Sequence, residues 1–171
     1  LRVERVIFDE DKIAGMYNQA AGRWSRSIRR MGYLHAYDQL FRRLCDDGVL
    51  TGLRQEAAVL DAGIGTGELA AALVRHRPDI ALHGIDISEA MIETAKDRLV
   101  GDFRCGSLAE LPYPDASLDL VMSAHALEHM DLPEVGIQEL LRVLKPGGLF
   151  VIVMTRQCPV TTMLSLRWNF K

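Results

Sequence analysis

Apolar positions in the first third of the chain recur near the helical period. Ile28, Met31, Leu34, Tyr37, Leu40, Phe41 and Leu44 would share a face, which predicts helix across residues 9–48, with Gly48 as the stop. Past residue 56 short apolar runs alternate with helical stretches. Strands are expected at about 57–62, 80–86, 101–105, 118–123 and 149–154, and the intervening helices at about 66–77, after Ser88 and after Pro133. Ser88 is a good N-cap for a helix whose Met91, Ile92, Ala95 and Leu99 share one side. Arg75, His76 and Arg77 place cations where they favour a helix C-terminus. Ile137, Leu140, Leu141 and Leu144 read as an inward stripe, Leu149 to Met154 as a strand apolar on both faces, and Thr161 to Phe170 as a helix. Such alternation predicts an α/β fold, a doubly wound parallel sheet flanked by helices.

The most informative stretch joins the first strand to its helix. Val59-Leu60-Asp61-Ala62-Gly63-Ile64-Gly65-Thr66-Gly67-Glu68 runs from apolar residues through an acid into three glycines at alternate positions. Glycine tolerates positive φ and has no Cβ, so this turn can bend sharply and let a ligand approach its backbone. The second strand ends in another acid, Asp86, nineteen residues after Gly67, where a carboxylate can accept from both hydroxyls of a ribose. A dinucleotide site normally reads G-x-G-x-x-G. Here the glycines are spaced G-x-G-x-G and Glu68 follows directly, a placement that repels pyrophosphate but tolerates a cationic ligand.

Together with Leu111 to Val121 and Leu144-Lys145-Pro146-Gly147-Gly148, these motifs resemble the class I S-adenosylmethionine-dependent methyltransferases of the small-molecule type, over roughly residues 57–155. The resemblance implies a Rossmann-like core at residues 51–171 under a helical lid at residues 1–50, S-adenosylmethionine as cofactor and S-adenosylhomocysteine as product. It implies cofactor contacts from Asp61, Ala62, Gly63, Gly65 and Gly67, from Asp86 on the ribose, and from Ile87, Met91, Ser107 and Leu108 around the adenine. Ser107 stands where the family often has an acid. Ala124 would face the methionine end, and Tyr17 would fold over the cofactor as part of the lid. The family closes its sheet with a sixth and an antiparallel seventh strand. Only residues 156–171 follow the fifth strand here, so those strands are expected to be missing and the open edge available to a second copy.

His125 and His129 follow the fourth strand and are candidate general bases, His129 the better one, because imidazole titrates near neutrality. On a helix their spacing of four would put them on one face. H-x-x-x-H with Glu128 inside lacks the metalloprotease order and a third ligand, so no metal is expected. Arg23, Arg26, Arg29 and Arg30 read as a solvated helix face.

At 171 residues the chain has the size of one domain, and its net charge of −3 gives no reason to expect nucleic acid as a partner. Cys45, Cys105 and Cys158 are odd in number and widely spaced, which suits a reducing cytoplasm better than a disulfide framework. No apolar run approaches the ~18 residues of a membrane span. The start at Leu1, without an initiator methionine, reads as a chain that is processed, trimmed or limited to its ordered residues. The expected activity is methyl transfer from S-adenosylmethionine to an oxygen, nitrogen or carbon atom of a small-molecule acceptor. The alternatives are a cofactor-binding module without turnover that acts with a partner, and a nicotinamide-dependent oxidoreductase.

Overall fold

The apolar runs and the periodic stretches after residue 56 become five parallel strands and three helices in the computed structural model, which describes residues 9–154. Two helices come first, α1 (Glu10–Arg30) and α2 (Tyr33–Asp46). They are separated at Gly32, which takes a left-handed φ of 79°. There follow β1 (Ala58–Ala62), α3 (Glu68–His76), β2 (Ala81–Asp86), α4 (Glu89–Lys96), β3 (Asp102–Cys105), β4 (Leu118–Ala124), a 3-10 turn at Leu127–His129, α5 (Pro133–Val143) and β5 (Leu144–Val153). Ser88 caps α4 as expected, its hydroxyl accepting from Met91 N–H at 3.2 Å.

All pairings are parallel and the strand order is β3-β2-β1-β4-β5. The chain winds outward from β1 in one direction and then from β4 in the other. The switch lies between β1 and β4, and open α/β sheets bind ligands beyond the carboxyl ends of the strands there.

Successive strand residues point to opposite faces, and the core divides accordingly. One face of the sheet buries Val59, Leu120 and Met122 with Phe41 of α2 and Leu73 of α3. The other buries Leu60, Ile85 and Val121 with Leu140 and Val143 of α5. Leu118 joins the second face because the β4–β5 register shifts between Leu118 and Leu120.

Three expectations are corrected. Leu141 is 51% exposed and Val143 is buried in its place, because the face of α5 centres on Leu140. Met31 is 40% exposed, since the chain breaks at Gly32 before the α2 face begins. β5 begins at Leu144, well before Leu149, and is partly exposed because β4 is its one strand neighbour among the described residues. The cations at the end of α3 serve as cross-links. Arg75 and His76 meet Asp38 of α2, and Arg77 bridges Asp79 and the carbonyls of Leu50, Leu53 and Arg54. Arg23, Arg26 and Arg30 are exposed. The expected helix at Thr161 to Phe170, Cys158 and any sixth or seventh strand lie outside the described residues.

Candidate active site

At the carboxyl ends of β1, β2 and β4, under α1, lies a cavity with an empty volume of about 980 Å³, part of it open to solvent. Of the residues the sequence singled out, Tyr17, Asp61, Gly63, Gly65, Asp86, Ile87, Met91, Ser107, Leu108, Ala124, His125 and His129 line it. Two do not. Ala62 is fully buried in β1, and Gly67 caps α3 behind the loop.

The loop after β1 is shaped by its glycines. Gly63 has φ +76°, and a Cβ there would sit 2.2 Å from Ala126 Cβ, so the loop and the turn after β4 touch backbone to side chain. Gly63 and Ile64 N–H groups both donate to Ile85 O, and Gly65 N–H donates to Asp86 Oδ2 at 2.8 Å. Asp86 Oδ1 accepts from Ser88 N–H at 2.9 Å. Each oxygen thus holds one backbone donor and keeps further acceptor capacity towards the cavity. Burial pushes the Asp86 carboxyl up against the opposing pull of these two bonds.

Asp61 is 1% exposed. Its Oδ2 accepts from Ala70 N–H at 3.1 Å, and its Oδ1 has no hydrogen-bond partner among the described residues. Burial pushes its pKa up to about 8; the Ala70 bond opposes this, and the nearby Asp86 and Glu68 charges add to it. A buried carboxylate beside two others is costly until a cation meets it. The arrangement fits a nucleoside that carries positive charge on its tail.

Glu68, expected from its place after the glycines to repel pyrophosphate, is 5% exposed and bonded to the Thr66 hydroxyl at 2.5 Å and to Arg98 at 2.7 Å. Burial alone would raise its pKa, but bonds from Thr66, Arg98 and Ser25 outweigh that and hold it below the usual range.

The two histidines do not share a helix face. His125 takes a left-handed φ of 57° at the end of β4, its N–H bonded to Val153 O, whereas His129 ends the 3-10 turn. His125 packs edge-on against Tyr33 at 5.0 Å, and its Nδ1 lies 3.6 Å from Glu128. His129 Nε2 lies 2.9 Å from the Tyr17 hydroxyl. Burial lowers the His129 pKa below 6.5, with the Glu128 charge opposing and His125 reinforcing the shift. Tyr17 is raised by burial and by the Asp86 and Glu128 charges, so it stays a neutral phenol. Ser107 donates to Glu10 Oε1 at 2.7 Å, while the Leu108 side chain is buried below.

The sequence points to a helical lid but to Tyr17 alone within it. Ile13, Trp24 and Ile28 line the cavity from α1 together with Tyr17, and Tyr37 from α2. The signal was present: positions 13, 17, 24 and 28 follow the helical repeat. Asn18, also of α1, accepts from the Ser88 hydroxyl at 2.8 Å and from Ala90 N–H at 3.1 Å. No group of three metal-ligating side chains occurs among the described residues, and no helix among them is long and apolar enough to cross a membrane.

The methyltransferase domain family matches residues 60–152, more than half of the chain. A demethylmenaquinone methyltransferase of Clavibacter sepedonicus is 31% identical over 153 residues, covering 87% of this chain and 60% of that protein. The 27-O-demethylrifamycin SV methyltransferase of Amycolatopsis mediterranei is 41% identical over 103 residues, covering 56% and 38%. Among solved structures, the complex of the Haloferax volcanii Trm112 methyltransferase activator with a methyltransferase matches at a TM-score of 0.65 and 26% identity, covering 78% of this chain and 57% of the matched one. The chain spans roughly a third to two thirds of the length of the curated relatives it matches.

Proposed function

This chain belongs to the class I S-adenosylmethionine-dependent methyltransferases, and on that premise we propose that it moves a methyl group from S-adenosylmethionine to an uncharged small-molecule acceptor. One observation carries the reading: the buried, partly unpartnered carboxyl of Asp61 at the switch point of the sheet. Asp61 would receive the cofactor's ammonium group and Asp86 its ribose hydroxyls. Ile87, Met91, Ser107 and Leu108 would enclose the adenine, and Ala124 would face the methyl end. When bound, the cofactor supplies an electrophilic methyl group on a good leaving group. The protein's task is then to align a nucleophile ~3–3.5 Å from that carbon and exclude water. The α1 roof does the excluding through Tyr17–His129, Asn18–Ser88 and Glu10–Ser107, which supports residues 1–50 as a cap on a core of residues 51–171.

The acceptor wall is supplied by Trp24, Ile28, Tyr37 and Met130, and no lysine or arginine lines the cavity among the described residues. With no cation lining the cavity, an anionic acceptor would find no counter-ion there. His129 is kept neutral by burial and is the base for an acceptor that loses a proton. A second copy pairing along β5, where Ile152 is 37% exposed, and a cytoplasmic setting belong to the same proposal. Light scattering that gives a monomer would remove the dimer.

The deciding experiment is calorimetry with S-adenosylhomocysteine. Asp86→Ala is expected to weaken binding about 10–100-fold, the value of lost charged hydrogen bonds. Unchanged affinity would remove the ribose assignment. Displacement by NADH in a competition titration would favour the oxidoreductase instead.

A further inference from the structure

We propose that Arg98 is a positioning residue for the cofactor: it braces the glycine loop by tying Thr66 and Glu68 to the segment after α4. This rests on reading the cavity as the S-adenosylmethionine site.

The loop must hold φ values of +76°, +54° and +83° at Gly63, Gly65 and Gly67. Such a segment keeps a binding shape only if its surroundings fix it. On one side β2 does so, through Ile85 O and the Asp86 carboxylate. On the other side the contacts come from residues 98 and 99. A Cβ on Gly67 would lie 2.7 Å from Leu99 Cδ1, so the loop rests directly on that side chain. Arg98 Nη1 donates to Thr66 O at 2.5 Å and to Glu68 Oε1 at 2.7 Å. The Arg98 side chain is 27% exposed and that of Glu68 5%, so this pair is sheltered from solvent screening.

Glu68 carries the brace further. It accepts from the Thr66 hydroxyl at 2.5 Å as well as from Arg98. One cation therefore organises a loop carbonyl and the first carboxylate of α3. Without Arg98, Glu68 becomes a buried charge lacking its counter-ion, and Thr66 O loses a charged donor. Both costs fall on the loop that presents its backbone to the ligand. Arg98 itself does not line the cavity, so it acts through the loop.

The test uses Arg98→Ala, Arg98→Lys and the double variant Arg98→Ala/Glu68→Gln, each titrated with S-adenosylhomocysteine by calorimetry. Arg98→Ala is expected to weaken binding about 10–100-fold, as loss of charge-assisted bonds does. The double variant should remain at least about fivefold weaker than the wild type, because neutralising Glu68 does not restore the donor to Thr66 O. Affinity within threefold of wild type in Arg98→Ala, or restored to that level in the double variant, overturns the proposal; the latter result would make Arg98 a counter-ion only. If Arg98→Ala does not fold, Arg98→Lys decides: it keeps the charge but not the guanidinium reach, so binding at least threefold weaker supports the brace and a smaller change overturns it. Hydrogen exchange without ligand gives an independent reading. The amides of residues 64–68 should exchange faster in the variant while those of α5 stay unchanged, and equal protection of the loop overturns the brace. If the wild type itself fails to bind S-adenosylhomocysteine, the cofactor reading fails, and the exchange experiment still tests the loop.

Discussion

The two ends of the parallel sheet treat buried charge in opposite ways. At the amino ends of β1 and β4, Asp119 accepts from Ala58 N–H at 2.8 Å, from Lys145 at 2.7 Å and from Arg54 at 2.9 Å. Burial would raise its pKa, but these three partners outweigh it and hold it at about 2. Nearby, Arg142 clamps Glu139, Asp115 and the carbonyls of Leu111 and Tyr113. At the carboxyl ends, Asp61 and Asp86 are raised, and no lysine or arginine lines the cavity they face among the described residues. One end has its counter-ions built into the chain. The other holds carboxylates in a state that a cationic ligand improves, which is how a fold marks a binding site electrostatically.

The largest effect should come from His129→Ala. If this imidazole takes the acceptor's proton, turnover falls on the order of 10²–10⁴-fold with cofactor affinity nearly intact. Because burial lowers its pKa, the wild-type rate should rise with pH through a midpoint below 6.5 and be flat above. Steady-state kinetics with an identified acceptor measure both, and a loss under threefold would leave His129 as a wall of the pocket held by Tyr17.

Next is Asp61. Its folded pKa of about 8 lies above the unfolded value near 3.9, so between those limits the native state binds the extra proton. Stability of the unliganded protein should therefore fall as pH rises from about 4 to about 8, and flatten beyond. A cation bound against Asp61 favours the ionised form, so binding near pH 7 should release about one proton and tighten up to about pH 8. Calorimetry in two buffers of different ionisation enthalpy counts that proton. Asp61→Asn should abolish the release and weaken binding roughly 10-fold. Release unchanged in that variant would assign the proton to another group.

Asp119 provides the mirror test. Its folded pKa lies below the unfolded one, so its contribution is present above about pH 4 and is lost as pH falls through about 2. Solvent reaches its partners Arg54 and Lys145, so the cluster contributes on the order of 1 kcal/mol. Asp119→Asn should cost about that much at pH 7 by chemical denaturation, with cofactor affinity unchanged. A variant that loses affinity without losing stability would dissolve the contrast between the two ends.

The legibility of the sequence divides along the same line. The strands and the loop were readable because their signals are local: apolar runs of strand length, alternate glycines, an acid closing each of two strands. Asp61, Gly63 and Asp86 were placed at the pocket for that reason. The partners of Glu68 were not readable, since Arg98 lies thirty residues away and Ser25 forty-three on the other side. The relative orientation of His125 and His129 was not readable, because a positive φ at His125 and a 3-10 turn ending at His129 leave no local signal in the sequence. Leu141 was misjudged because an apolar residue at the edge of a helical stripe carries no sign of whether a neighbour covers it.

The smallest effect concerns a charged cluster that belongs to neither end. Asp38 of α2 meets Arg75 at 3.2 Å and His76 at 3.3 Å on α3, and Arg42 at 3.0 Å on its own helix. The Arg75 bond, against some burial and with help from His76, holds the carboxyl below its usual range. The two arginines are more than half exposed, Arg75 at 54% and Arg42 at 65%, so salt and water screen the cluster. Beneath them Phe41 and Leu73 already fasten the two helices together by apolar burial. Asp38→Ala should therefore lower the melting temperature only slightly, and less in high salt, with no change in cofactor affinity. Thermal melts at two ionic strengths measure it. A larger and salt-independent loss would mean that α2 is held to the core by charge more than by packing, and that the built-in pairing of the sheet's amino end extends over the helical layer as well.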